Sequence, residues 1–326
     1  MQDCRSCGSR RLKDLGFIGE VAPFFLKRVL NMEVKTARAQ HPLRLLARRL
    51  CALPQRLFAK VYGCSAYVEM QICLDCSFVG TKHAFSDDAI GRLYSDYRSA
   101  AYNQERVSYE PTYAVLAQHV GASDQEVQTR VGGLTAWLAD EIDTDNENGF
   151  SMLDFGGSDG RFLPKLRGQK YVFEISNSTP LEGIVKISDA ADLATYSYVQ
   201  MAHVLEHVPE PLTLLKRVSS LVKPSGYLYI EVPQELTDAE FAELKIGTAP
   251  RGLGIHEHIN FFCVSSITSL AKAAQLDLIS IQSEHVNLGY ATCTVLRALC
   301  QHFNQQGQRP EPLGCANRGI DRMAAR

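Results

Sequence analysis

Between residues 152 and 163 the chain reads MLDFGGSDGRFL, and this stretch restricts the fold more tightly than any other. An apolar run reaches Asp154, passes a turn of Gly156, Gly157, Ser158 and Gly160, and is predicted to enter a helix carrying Phe162 and Leu163. A small-residue turn of this kind lets a ligand approach the backbone at the carboxyl end of a sheet, where doubly wound folds bind cofactors. The sequence around it agrees. Short apolar strands are predicted at 151–155, 171–175, 198–202, 227–232, 277–281 and 291–296, alternating with helix-like stretches. That alternation means an α/β fold, a Rossmann-like doubly wound sheet with helices on both faces. A dinucleotide fingerprint needs glycine at its first, third and sixth positions; counted from Gly156 these are Gly156, Ser158 and Arg161, so a nicotinamide cofactor is excluded.

The N-terminal part has a different texture. Two cysteine pairs, Cys4 with Cys7 and Cys73 with Cys76, each leave a two-residue gap, which lets one tight turn aim two thiolates at one ion. Two such knuckles complete a tetrahedral zinc site, and Gly8 suits the first turn. A redox pair would be a single CxxC beside a βαβ unit, which is not the arrangement here. Cys51 and Cys64, inside the insertion between the pairs, read as buried small hydrophobes, with Cys64 a weaker alternative ligand.

The expected order is a zinc-binding domain at 1–85, a helical segment and linker at 86–147, a cofactor-binding core at 148–300 and a disordered tail at 301–326. Within the first domain, residues 27–61 form a basic insertion. Leu43, Leu46, Leu50, Leu57 and Val61 recur at helical spacing among Arg44, Arg48, Arg49, Arg56 and Lys60. The segment from 86 to about 120 is tyrosine-rich and helical (Tyr94, Tyr97, Tyr102, Tyr109, Tyr113), and a further helix spans about 123–142.

The turn at 152–163 resembles motif I of class I S-adenosylmethionine-dependent methyltransferases, an acid followed by Gly-x-Gly-x-Gly, here Asp154, Gly156, Ser158 and Gly160 with serine at the middle position. Glu174 follows twenty residues after Asp154, at the tip of the second strand, where such folds bind ribose hydroxyls. Residues 188–190 (SDA) resemble the family's third-strand acid, Asp189, which meets adenine. Residues 200–211 (QMAHVLEHVPEP) resemble its fourth-strand segment, and 222–226 (VKPSG) the turn before its fifth strand. The resemblance implies S-adenosylmethionine as cofactor, held by Asp154, Gly156, Gly157, Ser158, Gly160, Glu174, Asp189 and His203. Ser197 stands where the family usually has aspartate.

The knuckles, the tyrosine-rich segment and a late HEHINFF at 256–262 are together similar to the C-methyltransferases of deoxysugar biosynthesis, which carry a zinc-binding N-terminal domain. That similarity implies a small-molecule substrate such as a nucleotide-linked sugar. It makes His258 the general base, Glu257 a substrate partner and His256 a lesser catalytic candidate. Ile255 stands where those enzymes have tyrosine. A structural role for the HEH segment, O- or N-methylation of another metabolite, and a binding module with a vestigial cofactor fold remain open beside this reading. HExxH zinc-protease chemistry is excluded for this segment, because no second histidine stands four residues after His256. His83, His119, His285 and His302 belong to no constellation.

Hydrophobic content of 45% and charged content of 21% exclude fibrous and wholly disordered classes. Nothing approaches the roughly 18 apolar residues of a membrane span, and the start lacks the pattern of a signal peptide. The expectation is a cytoplasmic protein with reduced thiols and no transmembrane segment. The net charge of −2 hides a balance of +8 between Lys27 and Lys60. That block suits a diphosphate-bearing substrate or an acidic membrane surface as well as RNA, and a solvated helix best of all. Nucleic-acid methylation is disfavoured: HVLEH at 203–207 replaces the Asn/Asp-Pro-Pro-aromatic motif of base methyltransferases, and the core is acidic. Sequence does not fix the oligomeric state.

Overall fold

The computed structural model describes residues 3–34, 66–121, 123–142, 149–248 and 252–303. Most of the basic insertion, with Cys51, Cys64 and the helical spacing at 43–61, lies outside the described residues, as does the chain after 303.

Seven strands form the main sheet: β4 (Ser151–Phe155), β5 (Gln169–Phe173), β6 (Ile184–Ile187), β7 (Tyr196–Ala202), β8 (Val222–Pro233), β11 (Leu276–Asn287) and β12 (Thr292–His302). Their spatial order is β11-β12-β8-β7-β4-β5-β6. The five from β6 to β8 are parallel, and β12 joins them antiparallel as part of a hairpin with β11. Strand order reverses at β4, so a crevice opens between the carboxyl ends of β4 and β7. Tyr196 through Met201 of β7 are all buried, as expected for a parallel strand covered on both faces. This is the α/β Rossmann-like sheet that the strand pattern implies.

One expected element does not form. Residues 161–168 are turns rather than the helix read after the glycine turn. Pro164 lacks the N–H that a helix would need by its second turn, and Gly168 takes a φ of 134°. The crossover from β4 to β5 is therefore a loop. One face of the sheet is covered by α5 (Asp124–Glu141), whose Leu134 and Leu138 pack on Met152, Tyr198, Tyr229 and Leu299. Ser123 caps this helix by accepting from the Glu126 amide. The opposite face is covered by α6 (Pro211–Ser219), α8 (Val264–Ala273) and, unexpectedly, by Cys4, Cys73, Cys76 and Phe78, which share one apolar cluster with Leu153, Val199 and Leu228.

The second sheet crosses the expected domain boundary. β1 (Leu12–Val21), β2 (Ala66–Cys73) and β3 (Val79–Thr81) are flanked by β9 (Leu253–Ile255) and β10 (Asn260–Phe261), in the order β10-β3-β2-β1-β9. β9 runs parallel to Gly19–Val21, and Asn260 pairs with Gly80. The two ends of the HEH segment are thus sewn into the N-terminal sheet. α1 (Pro23–Arg28), α2 (Asp87–Tyr94), α3 (Ala100–Tyr109) and α4 (Tyr113–His119) pack beside that sheet, and Phe24, Phe25, Leu93 and Tyr102 share its apolar core with Phe241 of α7 (Asp238–Ile246).

Candidate functional site

The two cysteine knuckles have one construction. In each, the first cysteine's amide donates to the carbonyl five residues on (Cys4 to Ser9, Cys73 to Phe78), and the amide four residues on returns to that cysteine (Gly8 to Cys4, Ser77 to Cys73). Closing the turn needs a positive φ at the fourth position, 75° at Gly8 and 65° at Ser77, which costs glycine little and serine more. The four sulfurs converge. Cys4 and Cys76 Sγ are 3.8 Å apart, Cys7 and Cys73 Sγ 3.7 Å, and all four lie within 4.8 Å of one another. A tetrahedron with such edges has a centre about 2.3 Å from each vertex, the zinc–thiolate bond length. The donor set therefore fits a structural zinc with no open position.

At the carboxyl end of β4 the chain turns left-handed at Gly156, Ser158 and Gly160, with φ of 76°, 56° and 79°. A Cβ on Gly157 would lie 2.1 Å from the Asp154 carboxyl, so backbone and carboxylate fill one space. Asp154 is 1% exposed. Gln200 donates to one of its oxygens at 3.2 Å, the other has no partner, and burial drives the carboxyl up to about 7. It underlies the turn rather than lining the crevice. Glu174, at the tip of β5, accepts from the amides of Ser158 at 3.1 Å and Ser176 at 2.8 Å, which pins the turn to the next strand. Asp189 accepts from the Ala191 amide at 2.9 Å. The left-handed backbone at Gly156, Ser158 and Gly160, open at the carboxyl end of β4, is a cradle of the kind that would hold the polar methionine end of S-adenosylmethionine.

His203, leaving β7 with a φ of 55°, stands between this turn and a second set of groups. Its Nδ1 is 3.2 Å from Glu206 and its Nε2 3.2 Å from Glu231. Glu231, 2% exposed, is held by Arg130, Arg297 and the Tyr229 hydroxyl. Beyond His203 opens a cleft of about 740 Å³ lined by Glu235, His256, His258, His285 and Cys293 among others. His285, which no sequence pattern singled out, enters this wall because β11 carries it there; its Nδ1 lies 2.8 Å from the Thr294 hydroxyl.

The expected catalytic residues differ in surroundings. His258 Nδ1 lies 3.1 Å from Glu235 Oε1, in ion-pair range though off the line of a hydrogen bond. Burial opposes a charge on His258, but Glu235 prevails and holds it above the ordinary imidazole value. His256 is pushed down to about 4, by burial first and then by His258. Glu257 does not face the cleft: Arg106 of α3 bonds one oxygen and the Tyr97 hydroxyl the other, at 3.2 Å. Glu257 anchors the HEH segment to α3 and to the turn that precedes it. His207, half-buried and pushed down to about 3 by desolvation of its ring, makes a 2.7 Å hydrogen bond with Tyr94. Glu206 is fully buried with neither oxygen in an aligned hydrogen bond; His203, held above the ordinary imidazole value, meets its charge, and His207 lies 3.7 Å away. No helix among the described residues is long and apolar enough to cross a membrane.

Residues 125–281 match a family model described as a methyltransferase domain. Over 114 residues, a third of the chain, the protein is 26% identical to the ubiquinone biosynthesis O-methyltransferase of Vibrio campbellii. Over 99 residues, 29% of the chain, it is 27% identical to the protein of that name from Paracidovorax citrulli. It covers 48% and 41% of those relatives' own length, so it spans about half of the curated relatives it matches. Among solved structures, it is similar to the Burkholderia thailandensis 1,6-didemethyltoxoflavin-N1-methyltransferase with bound S-adenosylhomocysteine. That likeness has a TM-score of 0.43 and 16% identity, and covers 71% of this chain and 98% of that one. With the glycine turn at the switch point and the family match over the sheet that carries it, residues 125–281 are a class I S-adenosylmethionine-dependent methyltransferase domain.

Proposed function

We propose that the chain transfers a methyl group from S-adenosylmethionine to a small molecule seated in the histidine-lined cleft. The observation that carries this reading is the adjacency of the two halves: the crevice at β4 and β7 opens beside His203, and His203 also lines the cleft. Bound there, the cofactor would supply an electrophilic methyl on a sulfonium. The turn at Gly156, Gly157, Ser158 and Gly160 would hold its methionine end, with Glu174 toward the ribose and Asp189 toward the adenine. Asp154 supports the turn from below, and His203 closes the site on the acceptor side.

Displacement at a sulfonium methyl needs an aligned nucleophile, so much of the catalysis is positioning. What the protein adds is removal of the acceptor's proton. His258 is our candidate base: Glu235 takes its Nδ1 side, which leaves Nε2 for the acceptor proton. His256, pushed down to about 4, is neutral at pH 7 and serves as a hydrogen-bonding wall. In this reading Cys4, Cys7, Cys73 and Cys76 hold one zinc ion, a structural cofactor.

For the acceptor we favour C-methylation of a nucleotide-linked sugar, supported by the pairing of a four-cysteine cluster with an HEH segment in the cleft. O-methylation is the second reading, favoured by the likeness to O-methyltransferases over 114 residues. Calorimetry with S-adenosylmethionine tests the common part, and absence of binding at high micromolar cofactor refutes it. A thermal-shift screen of nucleotide-sugars against phenolic acceptors, followed by mass analysis of the product, separates the two.

A further inference from the structure

The first cysteine knuckle carries a side chain that holding a metal does not require. Arg5, between Cys4 and Cys7, is 4% exposed and reaches away from the thiols. Its Nη1 donates to the Pro209 carbonyl at 3.1 Å and its Nη2 to the Thr81 carbonyl at 2.5 Å, and the Leu212 amide donates to its own carbonyl at 3.1 Å. A buried guanidinium whose two Nη groups meet carbonyls while its Nε has no partner is an expensive way to add stability, which makes its location informative. Pro209 closes the turn, begun at Leu205, that carries Glu206 and His207.

The same turn is gripped from the other side by Asn260, two residues after His258 and 1% exposed. Asn260 Nδ2 donates to the carbonyls of Leu205 at 2.9 Å and Val208 at 2.7 Å, while the amides of Ile259 and Asn260 donate to the Glu206 carbonyl at 2.9 and 3.2 Å. Arg5 and Asn260 meet at Gly80 of β3. A Cβ there would lie 2.8 Å from Arg5 Nη2 and 3.2 Å from Asn260 Oδ1. The knuckle, the strand that follows the second knuckle, the HEH segment and the turn of His207 therefore share one hydrogen-bonded joint. His207 and His258 face each other across it, ring centres 4.7 Å apart.

We propose that Arg5 and Asn260 are positioning residues that set the His207 turn against the HEH segment, so that the cysteine knuckle orients the base as well as holding the fold. This rests on the reading of His258 as base.

The test compares Asn260→Ala and Arg5→Met with wild type in the full chain, by ring-nitrogen NMR of His207 and His258, a readout that needs no acceptor. Zinc content, melting temperature and S-adenosylmethionine affinity are measured in parallel. The ring signals of both histidines are expected to move while zinc content and cofactor affinity stay within about twofold. With an acceptor in hand, kcat is expected to fall about 10- to 100-fold, the usual effect of losing an orienting partner one shell out. Arg5→Lys keeps a cation that can reach one of the two carbonyls and is expected to recover part of the loss. Gly80→Ala presses on the same joint more gently and serves if the other variants do not fold. Unchanged histidine signals in the folded variants would overturn the proposal. So would a change seen only where zinc is lost, since that would make both residues supports of the knuckle alone. Wild-type turnover in His258→Ala would refute the base while leaving the NMR comparison to judge the joint.

Discussion

Replacing Cys73 by serine is the most direct test of what the four sulfurs do. The structure sets the scale. With edges of 3.7 and 3.8 Å, an ion at the centre of the four sulfurs would lie about 2.3 Å from each, the zinc–thiolate bond length, with no position left for water. Structural zinc contributes apparent binding free energies of about 10–16 kcal/mol in small zinc-binding peptides at neutral pH, whereas whole domains are stable by roughly 5–15 kcal/mol. Losing the metal should therefore cost an amount comparable with the stability of a whole domain. The damage should also travel, because Cys4, Cys73 and Cys76 pack in one cluster with the strands of the main sheet. Metal analysis is expected to find about one zinc per wild-type chain, X-ray absorption four sulfurs near 2.3 Å, and the variant little metal and a melting transition lowered for both sheets. A wild-type protein without zinc, or a Cys73→Ser variant that keeps both zinc and stability, would refute the reasoning.

Two further outcomes follow from the site. Glu235 raises His258 above 6.5, so their ion pair is complete below that value and is lost as pH rises through the folded one. The base works only when neutral, so the acid limb of the pH–rate profile should lie above 6.5 and move to lower pH in Glu235→Gln; an unmoved limb would remove His258 from that role. In Gly157→Ala the new methyl collides with the Asp154 carboxyl. At about 1–3 kcal/mol for such overpacking, S-adenosylmethionine affinity should weaken roughly 5- to 150-fold by calorimetry, and unchanged binding would mean the cradle lies elsewhere.

What could be read from the sequence was local. The pairs Cys4–Cys7 and Cys73–Cys76 announce themselves because a knuckle is one turn long, and β4 was readable residue for residue because its apolar run ends at a glycine turn. The helix expected after that turn failed because Phe162 and Leu163 look helical while Pro164 forbids continuation, so the local rules conflicted. Long-range pairing left no such trace. Nothing in Leu253–Ile255 reveals that it pairs beside Gly19–Val21, and Arg5 reads as an ordinary polar knuckle residue until its carbonyl partners, more than seventy positions away, are known. His285 belongs to the same class: a long antiparallel hairpin carries it to the cleft, and no motif marks it. The partners of Glu257 were equally hidden: Arg106 on α3 and Tyr97 in the turn before it lie more than 150 positions earlier in the chain.

The placement of β9 beside β1 also constrains how the protein is made. Val21 leaves the ribosome about 230 residues before its partner Ile255, and at roughly 5–20 residues per second that interval is on the order of 10–50 s. Through that time β1 and β2 can pair and the two knuckles can close on a metal, because both are complete by Cys76. The outer edges of the small sheet stay unpaired until the HEH segment emerges between the two strands that cover them. The last event in assembling the N-terminal sheet is thus also the event that installs His258, so a nascent chain acquires its candidate base only when its earliest strand is no longer an open edge.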